Sequence, residues 1–135
     1  LRVADVYGND PAGGSASAIA RALGWLAQSG VAVTTISLVG PDNKLLAAAI
    51  SRAQQRGMII VAAVGNDGPA APPAFPASYY GVIAVTGVDA SGRVLPEAGR
   101  SAHVDFAAPG DGVLAASGVT VAERMRGTSF AAPLV

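Results

Sequence analysis

The sequence has no cysteine, so a disulfide, thiolate catalysis and a cysteine-based metal site are excluded. It has a single histidine, His103, and no carboxylate cluster, so nothing in it marks a transition-metal site. Charge is scarce as well. Charged residues make up 13% of the 135, about half the ~25% of an average soluble domain. Nine basic residues cancel nine acidic ones and aromatics are only 5%. Without a basic stripe or aromatic ladder there is no footprint for nucleic acid. The longest apolar run, Met58-Ile59-Ile60-Val61-Ala62-Ala63-Val64, falls far short of the ~20 residues that span a bilayer. The chain opens Leu1-Arg2-Val3, without an initiator Met or a signal peptide; the expectation is a trimmed, processed or partial chain.

What is present is apolar and ordered in blocks. Hydrophobic residues are 51% of the chain, the composition of the interior of a larger domain, while 135 residues suit one domain and one core. Val3 to Tyr7 reads as a short strand, followed by the turn-rich Gly8–Gly14. Ile19, Leu23 and Leu26 recur at helical spacing between Ser15 and Gln28, and Gly30 stops the pattern. Val31 to Leu38 reads as a strand. A second helix is expected from about Asn43 to Arg56, capped by Asp42 or Asn43 and ended by Gly57. Met58–Val64 and Val82–Val88 are continuous apolar strands covered on both faces. Further strands are expected near Val104–Ala107, Gly112–Ala115 and Val119–Arg124. Strands alternating with helices define an α/β fold with a mostly parallel sheet.

Three stretches can carry chemistry. Gly127-Thr128-Ser129-Phe130-Ala131-Ala132-Pro133 puts a serine hydroxyl where a strand turns into a helix start. Backbone N–H groups there favour negative charge, as a nucleophilic serine and its oxyanion require, but Gly-Thr-Ser is also an ordinary helix N-terminus. Asn66, in Val64-Gly65-Asn66-Asp67-Gly68-Pro69, can donate its amide to an oxyanion or can be a turn residue. Ser37-Leu38-Val39-Gly40-Pro41 can pair with an extended peptide or can be a strand end punctuated by Gly-Pro.

Taken in order, Thr35–Pro41, Val61–Gly68, Phe75–Val88, Asp105–Gly110 and Gly127–Pro133 resemble the subtilisin-like serine proteases over nearly the whole chain. The resemblance implies a subtilisin-like three-layer α/β fold across residues 1–135, the C-terminal two-thirds of a catalytic domain. It implies Ser129 as nucleophile and Asn66, with the Ser129 N–H, as oxyanion hole. Ser37, Leu38, Val39 and Gly40 match the strand that pairs with a polypeptide substrate. Ala62, Ala63, Val64 and Gly65 match a wall of the primary specificity pocket, with room for a sizeable apolar group, and Thr128 joins the substrate-binding set. Peptide hydrolysis would run through an acyl-enzyme, serine attacking and histidine moving the proton. Secretion follows by resemblance only. Calcium is a family option at surface loops, though no Asp/Asn/Glu cluster marks a site.

Two family motifs are missing: Asp-Ser/Thr-Gly on an early strand and His-Gly-Thr opening a helix. Asp5, Asp10 and Asp42 lack the following Ser/Thr-Gly, and Asp89 has no catalytic counterpart. His103 lies where the family draws no base, and a structural role is expected for it. The chain is expected to begin after both motifs and to be inactive or nearly so unless an N-terminal segment or second chain supplies Asp and His. The family's Asp-bearing strand lies between the counterparts of Leu1–Tyr7 and Val31–Ser37. Its absence should leave two exposed edges or let the flanks close together, and poor stability alone is expected. The alternative is a non-catalytic subtilase-like peptide-binding or scaffold module. A Rossmann-type nucleotide binder finds no Gly-x-Gly-x-x-Gly and no P-loop, only Gly13-Gly14 before a helix.

Overall fold

A computed structural model describes residues 1–9, 14–99, 103–117 and 120–135. Elements follow the chain as α1 (Ala16–Gln28), β1 (Val33–Ile36), α2 (Lys44–Gln55), β2 (Ile59–Ala63), β3 (Ile83–Val88), β4 (Phe106–Pro109), β5 (Val113–Ser117), β6 (Thr120–Met125) and α3 (Thr128–Ala131), which runs into a 3₁₀ turn, Ala132–Leu134. Strands β1 to β4 form one parallel sheet in the order of the chain. Strands β5 and β6 form a separate antiparallel pair, a hairpin that the sequence announces as strands without announcing its pairing. The mostly parallel α/β architecture expected from the residues is the one found.

Each helix starts at a side-chain cap, the second at the expected Asn43. The Ser15 hydroxyl accepts the Ala18 N–H, and the Asn43 side-chain Oδ1 accepts the N–H groups of Leu45 and Leu46, satisfying donors that a helix N-terminus otherwise leaves unpaired. Their apolar stripes, Ile19, Leu23 and Leu26 on α1 and Leu46, Ile50 and Ala53 on α2, pack on one face of the sheet against Ile36, Ile60, Ala62 and Ala84. Fully burying side chains such as Leu23, Ile50 and Ile60 contributes about 1.5–3 kcal/mol each. The opposite face is covered only in part. There α3 and its 3₁₀ extension set Ala131 and Ala132 on Val61, Ala63, Val85 and Ala108, while Val33, Ile59 and Phe106 stay about half exposed.

One expected strand does not form. Residues 3–7 run without a ladder partner. Between them and β1 lies a groove of about 450 Å³, lined by Val3, Val6, Leu23, Val33, Ile36 and Pro133 among others. The flanks have therefore not closed together, and the outer edge of β1, first in the sheet order, is unpaired. Asp10 and Gly13 lie outside the described residues.

Candidate active site

The C-terminal ends of the parallel strands are where an open α/β sheet collects functional groups, and three of the candidate segments meet there. Ser37 follows directly on β1, Asn66 comes three residues after the end of β2, and Ser129 is the second residue of α3. The Ser37 hydroxyl donates to the Ser129 carbonyl at 3.0 Å, and the Ser129 Oγ stands 3.5 Å from the Ser37 carbonyl. The second distance lies at the edge of hydrogen-bonding range, so the Ser129 hydroxyl is only loosely engaged.

Asn66 is fixed by its oxygen. Its Oδ1 accepts the Thr128 N–H at 2.9 Å, and since a backbone N–H needs an acceptor this settles which end of the amide faces Thr128. The Nδ2 end remains the donor, and a Cβ on Gly127 would come within 3.2 Å of it. Gly127 has φ +135, in the region open to glycine, and its N–H donates to Gly110 O at 2.8 Å. Gly110, directly after β4, thus anchors the approach to Ser129.

The remaining candidates divide by exposure. Ser37, Val39 and Gly40 are exposed and Leu38 is half-buried. Gly40 exchanges two hydrogen bonds with Phe75, 2.9 and 3.0 Å, just before the cis Phe75-Pro76 bond. Ala62, Ala63, Val64 and Gly65 are buried, and Thr128 is fully buried with its hydroxyl unpartnered. The Thr128 side chain therefore packs beneath the site, while its N–H holds the Asn66 side chain.

His103 is elsewhere. Its Nε2 lies 3.0 Å from Val82 O and 3.7 Å from the Asp105 carboxylate, at the N-terminal end of β3. By strand register Val82 is level with Ile60, six residues before Asn66, roughly 20 Å away along the sheet at ~3.3 Å per residue. Among the described residues no three His, Cys, Asp or Glu side chains gather where they can hold a metal ion.

An ion-pair cluster beside the site has no forewarning in the sequence. Arg126, directly before Gly127, forks onto Glu97 at 2.7 and 3.0 Å and reaches Asp111 at 2.7 Å. Glu97 O in turn accepts the Gly68 N–H, so the cluster links the Asn66 loop to the strand leading into Ser129. The guanidinium bond, with a backbone bond adding to it, holds the Glu97 carboxyl below its ordinary value, and the two carboxylates raise Arg126 further. Three charged residues 14 to 29 positions apart carry no local pattern that marks them.

The chain belongs to the subtilase family, whose model matches residues 1–135. Subtilisin DY from Bacillus licheniformis is 33% identical over 131 residues, 94% of this chain and 48% of the relative. Thermitase from Thermoactinomyces vulgaris is 33% identical over 136 residues, 100% of this chain and 47% of the relative. Among solved structures, a mutant of the protease domain of PatA superposes with a TM-score of 0.87 at 27% identity, covering 96% of this chain and 50% of that one. The chain thus spans about half the length of the relatives it matches.

Proposed function

We propose that this chain supplies the nucleophile, the oxyanion donor and the substrate walls of a serine endopeptidase whose Asp and His come from a segment outside these 135 residues. The observation that carries the reading is the Asn66–Thr128 hydrogen bond, which holds an amide donor next to the Gly127–Ser129 turn. In this reading Ser129 Oγ attacks the scissile carbonyl and gives its proton to the histidine of the added segment. The oxyanion is held by Asn66 Nδ2 and the Ser129 N–H. The histidine then protonates the leaving amine, and water, activated by the same base, releases the acyl group. Ser37 to Gly40 pair with the polypeptide substrate through their backbone.

The groove beside β1 is the berth for the missing strand. Its lining is mostly apolar, includes Ser37 and Pro133, and borders an unpaired strand edge. A strand lying parallel to β1 would bring its C-terminal end to Ser129. An extracytoplasmic location belongs to the same proposal; no described helix is long and apolar enough to cross a membrane.

One observation favours the second reading, a non-catalytic peptide-binding module: the partner facing Ser129 Oγ is a carbonyl, Ser37 O, and not a base. The two readings part on one experiment, peptide hydrolysis by the full-length protein beside its Ser129→Ala variant. Hydrolysis abolished by the substitution supports the endopeptidase. Peptide binding without hydrolysis in either protein supports the module.

A further inference from the structure

The wall formed by Ala62 to Gly65 does not face open space. Gly65 has φ +91, and a Cβ placed on it would lie 3.4 Å from Val39 Cγ1, 3.8 Å from Val39 Cγ2 and 3.7 Å from the Ala74 Cβ. Adding one bond of about 1.5 Å puts Gly65 Cα at most about 4.9 Å from Val39 Cγ1. A methylene between two carbon walls needs ~3.5–4.0 Å to each, so a slot for a long side chain must be ~7–8 Å wide. Val39 takes up that width. On this geometry Val39 occupies the room for a sizeable apolar group that Ala62, Ala63 and Gly65 alone would leave.

Neither wall gives way easily. Ala62, Ala63 and Val64 are 0%, 1% and 5% exposed and are part of the core. Val39 projects from a segment pinned one residue later by the paired Gly40–Phe75 hydrogen bonds. Its β-branched side chain is stiff at χ1, and at 44% exposure it stands at the surface where a peptide would enter.

We infer that Val39 is a specificity-determining residue that closes the primary pocket. It restricts the residue on the acyl side of the cleaved bond to glycine, alanine or serine. The inference rests on the reading of Ser129 as the nucleophile and deepens it.

The test compares two peptide substrates, identical except for Ala or Phe at that position, hydrolysed by the full-length protein and by its Val39→Gly, Val39→Ala and Ser129→Ala variants. Wild type should favour Ala. Val39→Gly should raise the Phe:Ala ratio of kcat/KM roughly tenfold or more, with Val39→Ala in between; the alanine variant keeps the test alive if glycine weakens folding. A ratio unchanged in both Val39 variants, or a wild-type preference for Phe, overturns the role of Val39 while leaving the nucleophile standing if Ser129→Ala is inert. Hydrolysis that is absent from wild type, or that survives Ser129→Ala, overturns both.

Discussion

Ser37 and Ser129, 92 positions apart, hold each other at the end of the sheet: the Ser37 hydroxyl donates to the Ser129 carbonyl at 3.0 Å. This bond ties the segment after β1 to the turn that presents the candidate nucleophile. Ser37→Ala removes it while leaving the backbone free to pair. A single net hydrogen bond is worth about 0.5–1.5 kcal/mol, and at an exposed position the low end applies. Chemical denaturation of the variant should show that loss with an unchanged m-value; a loss of several kcal/mol would mean that Ser37 does more than tether Ser129.

Asn66 is predicted to act in two ways that different measurements separate. Asn66→Asp keeps an oxygen for the Thr128 N–H but lacks the NH₂ donor. Stability should change little, while kcat of the full-length protein should fall ~10²–10³-fold, the cost of one oxyanion donor in subtilisin. Asn66→Ala loses both functions and should cost about 1 kcal/mol of stability as well. Equal activity in Asn66→Asp and wild type would remove Asn66 from the oxyanion hole.

The Arg126 cluster should make stability depend on acid. Glu97 has its carboxyl lowered from the ordinary 4.5, chiefly by the Arg126 side-chain bond. A carboxylate lowered in the folded state binds fewer protons there than in the unfolded chain. Its contribution is therefore present above about pH 4.5 and is lost as pH falls through the lower folded value. Thermal midpoints of wild type should drop on acidification below 4.5, and those of Arg126→Ala should drop less. Parallel pH profiles would show that the cluster contributes nothing to stability.

Gly99 sits where no side chain fits. A Cβ on it would lie 2.5 Å from the Val64 carbonyl oxygen, which is backbone and cannot swing aside. Its N–H also donates to Gly65 O at 3.0 Å. Gly99→Ala should therefore push the Gly65–Asn66 loop and cost about 1–3 kcal/mol. Calorimetry checks the cost, and a wild-type midpoint would show that the loop accommodates the methyl.

The helices were legible from periodicity and its punctuation: Ile19, Leu23 and Leu26 before Gly30, and Leu46 and Ile50 between the Asn43 cap and Gly57. The buried strands β2 and β3 were legible as apolar runs. Residues 3–7 have strand-like residues but no ladder, since strand formation needs a partner edge that these residues alone do not provide. The Ser37–Ser129 and Asn66–Thr128 bonds join positions 92 and 62 apart, so only the family resemblance put them together beforehand. The approach of Val39 to Gly65 was not legible because it depends on which way a single side chain projects from a segment that reads equally as a strand end.

Ser129 is proposed as a nucleophile held ready on a chain whose base comes from another segment. The most direct measurement is intact-mass labelling with a fluorophosphonate. It is run on the 135-residue chain with its folding checked by circular dichroism, on the full-length protein, and on Ser129→Ala in both. The account predicts a stoichiometric adduct at Ser129 in the full-length protein, none in its Ser129→Ala variant, and little or none on the folded 135-residue chain. A stoichiometric adduct at Ser129 on the short chain, or no adduct on the full-length protein, would contradict it.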